Sequence, residues 1–153
     1  DIMTIGKSFG GSYPVTAVVT NEKISDAMKP GYDGSTFGGN PMAMTSALIA
    51  TRQMREKNIT KNVIDRSKQF FAGLNKLSQK HSVLSDVHGR GLMIAFSLES
   101  EENVERLQDE LRKEGVKTSL STGKYMRFLP PTIINEGEVD EVLNRLDKAL
   151  DRL

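Results

Sequence analysis

Three stretches of the 153-residue chain set reactive side chains in backbone suited to receiving a small molecule. Lys7 sits in Gly6-Lys7-Ser8-Phe9-Gly10-Gly11-Ser12, directly after an apolar run. Glycines on both sides let a planar ligand approach the backbone, and a primary amine so placed can form a Schiff base with a carbonyl compound. A solvated surface lysine is the ordinary alternative. The second stretch, Gly34-Ser35-Thr36-Phe37-Gly38-Gly39-Asn40-Pro41, joins a hydroxyl pair to glycines and a helix start. Backbone N–H groups and the Thr36 hydroxyl there suit a phosphate dianion, against the plainer reading of a connecting loop with a helix cap. Arg127 interrupts the otherwise apolar Tyr125-Met126-Arg127-Phe128-Leu129 ahead of Pro130-Pro131. A guanidinium buried there demands an anion, either a substrate carboxylate taken by two hydrogen bonds or a structural ion pair.

Other chemistries find less support. Gly6-Lys7-Ser8 ends like a nucleotide-binding P-loop, but that motif needs a glycine five positions before Gly6, where Asp1 stands. The chain has no cysteine, which removes disulfides and thiolate metal ligands, and its two histidines lack a zinc-binding spacing. His81 reads as a helix-end residue, and His88 and Arg90, in His88-Gly89-Arg90-Gly91-Leu92, read as a turn before a buried strand. A net charge of +1 with both signs scattered offers no basic stripe for nucleic acid. No apolar run approaches the roughly 20 residues that span a bilayer. The compartment expected is a reducing one, the cytoplasm or, in a eukaryote, the mitochondrial matrix. The start Asp1-Ile2-Met3 has no basic segment and no initiator methionine, so a fragment or processed chain is expected.

Two short strands, Ile2 to Ile5 and Thr16 to Thr20, should flank the glycine-rich turn around Lys7, followed by a short helix over Glu22 to Met28. Asn40-Pro41 should open a helix running to about Lys57. Val63, Phe70, Leu74 and Leu77 mark one face of a long helix. Strands are expected at Val83 to Val87, Leu92 to Leu98, Val116 to Leu120 and Met126 to Leu129. A helix capped by Ser100 should bury Val104, Leu107 and Leu111 until Gly115 ends it. Asn135 and Glu138 resemble a capping box for a last helix with the stripe Val139, Leu143, Leu146, Leu150 and Leu153. The class is α/β, a sheet covered by amphipathic helices.

Taken in order, Asp1 to Gly11 with Tyr13-Pro14, Gly34 to Pro41, Gly89-Arg90-Gly91-Leu92 and Arg127 to Pro131 resemble the class III aminotransferases over nearly the whole chain. Tyr13 to Val18 and Lys29-Pro30-Gly31 look most like the ornithine aminotransferase branch, with the acetylornithine and 4-aminobutyrate branches next. The resemblance implies a fold-type I transferase dependent on pyridoxal 5'-phosphate. Residues 1–57 would end its large cofactor domain and residues 58–153 would form its small C-terminal α/β domain. By the same likeness Lys7 would hold the cofactor and shuttle the proton, Ser35 and Thr36 would bind its phosphate, and Arg127 would hold a substrate carboxylate. Amino-acid and 2-oxo acid substrates and a homodimer are implied, with ornithine or a related ω-amino acid as donor and 2-oxoglutarate as acceptor. The family's ring-facing aspartate, stacking aromatic and main phosphate loop precede the lysine and are not in this sequence, so the chain alone is expected to be inactive or nearly so. The alternative is a non-catalytic truncated module that survives by self-association through apolar surface around Met42 to Met54.

Overall fold

The computed structural model describes residues 1–11, 13–120 and 123–153. Ser12, the end of the glycine-rich turn, lies outside the described residues. The chain forms two compact units, Asp1–Asn58 and Ile59–Leu153. Among the described residues no helix is long and apolar enough to cross a membrane.

In the first unit, β1 (Ile2–Ile5) and β2 (Ala17–Thr20) pair antiparallel, with Ile2 opposite Thr20 and Ile5 opposite Ala17. A single 3₁₀ turn, Lys7–Gly10, lies between them. Helix α1 (Glu22–Ser25) starts where the Asn21 side chain accepts from Ile24 N at 3.1 Å. It stops short of Met28 because the chain tightens into i to i+3 bonds, Ala27 N to Ile24 O and Met28 N to Ser25 O, ahead of Pro30. Helix α2 (Pro41–Glu56) begins with Pro41 at its first position and with Asn40 Oδ1 accepting from Ala43 N at 2.9 Å.

The unit's buried core is small: Val15, Ala43 and Ala47, with Phe9 packed against them. Ser46 on α2 donates to Gly10 O at 2.7 Å, which ties the 3₁₀ turn to the helix. A Cβ on Gly10 would stand 2.6 Å from Val15 Cγ2, so only glycine admits this approach. Helix α2 leaves Met42, Met44, Leu48, Ile49 and Met54 exposed.

The second unit is a two-layer α/β structure. Its strands β3 (Leu84–Arg90), β4 (Met93–Leu98), β5 (Ser119–Leu120) and β6 (Tyr125–Phe128) form an antiparallel sheet in the order β3-β4-β6-β5. Helices α3 (Ile59–Lys80), α4 (Glu101–Lys113) and α5 (Glu136–Leu150) cover one face. Ile94, Phe96, Leu98, Met126 and Phe128 point into that layer and meet Phe70 and Leu74, Leu107 and Leu111, Val139 and Leu146. The Phe128 ring lies edge-on to Phe96 at 5.3 Å and to Phe70 at 6.5 Å. Each fully buried leucine or phenylalanine contributes roughly 1.5–3 kcal/mol, so this layer carries the unit's stability.

Local chemistry explains the boundaries. Ser100 Oγ caps α4 through Asn103 N at 3.2 Å, and Asn135 and Glu138 form a reciprocal capping box on α5. At the end of α4, Gly115 has φ +78 and bonds to Arg112 O, while Val116 N bonds to Leu111 O at 2.8 Å. That left-handed glycine closure keeps Val116 out of the sheet, so β5 is two residues rather than five. Strand β3 runs further than expected, through His88 to Arg90, because a register shift between Ser85 and His88 lets pairing resume after the irregularity.

Candidate functional site

Lys7 stands at a backbone discontinuity. Gly6 is extended at φ −163, and Lys7 itself is left-handed at φ +58. That conformation costs a non-glycine residue about 1–2 kcal/mol. It is held by the closed turn behind it, where Phe9 N bonds to Gly6 O at 3.2 Å and Gly11 N to Ser8 O at 3.0 Å. The side chain is exposed, and among the described residues it makes no ion pair or hydrogen bond. Lys7 is thus an unpartnered amine on strained backbone, two residues beyond the end of β1.

Ser35 and Thr36 lie in the exposed loop before α2, and neither hydroxyl is engaged among the described residues. Asn40 organises this corner, donating from Nδ2 to Phe37 O at 2.9 Å while capping Ala43. A cavity of about 260 Å³ is lined by Pro14, Val15, Ser35, Gly38, Gly39 and Asn40. The structure therefore brings Ser35 to the start of α2, where the helix dipole and the Met42 N–H favour an anion. Lys7 and Thr36 do not line that cavity.

Arg127 projects from β6 on the face opposite the core, between Ala95 on β4 and Ser119 on β5. Among the described residues its guanidinium has no ion-pair partner, and its buried Nε has no hydrogen bond. The structural ion pair that the residue type allowed is absent among those residues. A buried donor left unsatisfied costs about 1–3 kcal/mol, and a guanidinium is of a shape to take a carboxylate by two hydrogen bonds.

The family model for aminotransferase class III matches residues 1–150. The chain belongs to the class III aminotransferases. It is 35% identical, over all of its length, to the acetylornithine aminotransferase of Vibrio parahaemolyticus, and 32% identical over 99% to ornithine aminotransferase 1 of Staphylococcus saprophyticus. It spans 38% of the length of each. Its structure matches 41% of the acetylornithine aminotransferase of Elizabethkingia anophelis at a TM-score of 0.96 and 29% identity, with all of this chain covered. The ornithine aminotransferase of Plasmodium yoelii matches at 0.91 and 29% identity, with 99% of this chain and 41% of that one covered. The fold is thus the mixed α/β fold of pyridoxal-phosphate-dependent aminotransferases, matched over part of their length.

Beside Arg127 this class III chain carries a cluster that the sequence did not announce. His88, read as a turn residue, is a strand residue paired with Ala95. Its ring lies 5.6 Å from that of Tyr125 at 81°, and its Nδ1 is 2.9 Å from Asp86 O. Tyr125 donates its phenol to Asp86 Oδ2 at 2.9 Å. The hydrogen bond to that carboxylate, then its charge, push the Tyr125 phenol above its ordinary range. Asp86 itself is left-handed at φ +47, inside the register shift. Arg90, also read as a turn residue, ends the same strand.

His81, Asp147 and Asp151 place ligand atoms within 4.8 Å of one another, a spacing that could hold a cation. Those atoms are already engaged: Asp147 Oδ1 lies 2.6 Å from His81 Nε2 and 2.7 Å from Lys80 Nζ. The group is a tie between α3 and α5. A separate cavity of about 370 Å³, lined by Phe70, Thr118, Phe128, Pro130, Ile134 and Arg145 among others, contains none of Lys7, Ser35, Thr36 or Arg127.

Proposed function

We propose that this chain supplies the cofactor lysine and a carboxylate-binding arginine of a pyridoxal-phosphate-dependent aminotransferase, as part of a longer polypeptide. The reaction is transfer of an amino group from ornithine or a related ω-amino acid to 2-oxoglutarate. The supporting observation is Lys7, an exposed and unpartnered amine on left-handed backbone, in a chain that matches the class III family from residue 1 to residue 150. Residues 1–57 are assigned to the end of the cofactor domain and residues 58–153 to the small C-terminal domain.

Pyridoxal 5'-phosphate, when bound, supplies an electron sink for the carbon that carries the amino group. The residues present fit such a group: an accessible amine at Lys7, free hydroxyls at Ser35 and Thr36 near a helix start, and the unpaired guanidinium of Arg127. Lys7 Nζ would be the covalent anchor of that group and, as a free amine, would carry a proton away from the amino-bearing carbon of the substrate. Ser35 and Thr36 donate to phosphate oxygens, while Arg127 orients the substrate through its carboxylate. The exposed Met42, Met44, Leu48 and Ile49 on α2 favour a second copy of the protein as their cover, since a soluble chain rarely leaves such a row to water.

The test is borohydride reduction of the cofactor-loaded full polypeptide, followed by peptide mass mapping. The label is expected on Lys7 and to vanish in Lys7→Ala. Label on another lysine overturns the assignment.

A further inference from the structure

We infer that His88 is a second contact for the anion received by Arg127, so that one carboxylate is held between the two side chains above Ala95. The inference rests on the reading of Arg127 as a carboxylate site. Cross-strand pairing puts Ser119, Arg127, Ala95 and His88 in one row on the sheet face away from the core. Neighbouring strands stand about 4.8 Å apart, so the backbones of Arg127 and His88 are about 10 Å apart with a single methyl group between them. That separation leaves room for one carboxylate between a guanidinium extended from β6 and an imidazole extended from β3. Tyr125, two residues before Arg127 on the same face, braces the His88 ring edge-on at 5.6 Å.

The hydrogen bonding of the ring fixes which atom is offered. His88 Nδ1 lies 2.9 Å from Asp86 O, and a carbonyl oxygen only accepts, so Nδ1 carries a proton and donates it. Nε2 is left for a ligand, and it donates to a carboxylate only when the ring is an imidazolium. Carboxylate binding through Nε2 is therefore linked to protonation of the His88 ring. The charges facing the ring are the Asp86 carboxylate, 3.5 Å from Nδ1, and the guanidinium groups of Arg127 and Arg90 on the same sheet face. Tyr125 donates its phenol O–H to Asp86 in a hydrogen bond, and β4 faces the ring with the uncharged Ala95 and Met93.

The test measures glutarate binding by calorimetry at pH 6 and pH 8, in the full polypeptide that carries these residues. Native protein should bind about tenfold more tightly at pH 6, as one charge-assisted hydrogen bond implies. His88→Ala should weaken binding about tenfold at pH 6 and lose the pH dependence. His88→Lys, which keeps a cation at both pH values, should retain affinity within about threefold and also lose the dependence. Because the His88 side chain is 53% exposed, neither change threatens folding. Arg127→Gln should weaken binding about a hundredfold. If Arg127→Gln shows that loss while His88→Ala keeps native affinity and pH profile, this inference is overturned and the reading of Arg127 stands. If Arg127→Gln binds as the native protein does, the Arg127 reading falls, and the His88 contact with it.

Discussion

The two units of the chain divide their tasks unevenly. Asp1–Asn58 carries the candidate lysine and hydroxyl loop on a buried core of Val15, Ala43 and Ala47, and exposes most of the apolar side chains of α2. Ile59–Leu153 carries Arg127 and His88 on a sheet whose other face is sealed by three helices. With so few buried side chains, the first unit has little packing of its own to hold it, whereas the second puts its apolar residues into one closed layer behind the sheet.

The sharpest way to break this contrast is to separate the units. Residues 59–153 expressed alone should unfold cooperatively on heating, followed by circular dichroism, because their core is complete within the segment. Residues 1–58 alone should show no cooperative transition, since so few buried side chains cannot offset chain entropy. A cooperative transition in the shorter piece would end the contrast.

Single substitutions sharpen it. Leu107→Ala removes a side chain with no exposed surface from the second unit and should cost about 3 kcal/mol in urea unfolding. Gly10→Ala forces a methyl group against Val15 and, in the full polypeptide, should cost about 2 kcal/mol of local stability around the turn. Hydrogen exchange reads the difference. Leu107→Ala should speed exchange throughout Ile59–Leu153, and Gly10→Ala should speed it around Ser8–Gly11 and the start of α2 while leaving β4 protected. Displacing the turn should also reduce borohydride labelling at Lys7.

The same contrast governs what the sequence disclosed. Helices α3, α4 and α5 were legible because each carries an apolar face of helical period, joined in α4 by the Ser100 cap and in α5 by the Asn135 and Glu138 box, and these signals are local. The strands were placed but not bounded. The withdrawal of Val116 into the α4 closure shortened β5, and the irregularity at Asp86 lengthened β3, and both depend on partners distant in sequence. At the candidate site the residue types at Lys7, Ser35, Thr36 and Arg127 were visible as chemistry. The left-handed backbone of Lys7, the unsatisfied Nε of Arg127 and the approach of His88 to Tyr125 were not. His88-Gly89 looks like a turn because histidine and glycine carry no strand signal, and only pairing with Ala95 makes it a strand.

The smallest expected effect lies where the second unit uses charge instead of packing. Asp147 on α5 accepts from His81 and Lys80 at the end of α3, and those bonds, the His81 bond first, hold its carboxyl below the ordinary carboxylate range. A carboxyl with a depressed folded pKa adds stability that is present above its unfolded value, about 3.9, and is lost as pH falls through the folded value. Lys80, held above its ordinary range mainly by the bond to Asp147, gives the mirror image: its share is present below about 10.4 and is lost as pH rises further. The Asp147 side chain is 34% exposed, so solvent screening limits its share to about 1 kcal/mol. Asp147→Asn should lower the unfolding free energy read from urea titration by that amount at pH 7, by the same amount at pH 5, and by progressively less below pH 4. A difference that persists undiminished at pH 2 would mean that shape, not charge, makes this tie, and that the second unit is held by packing alone.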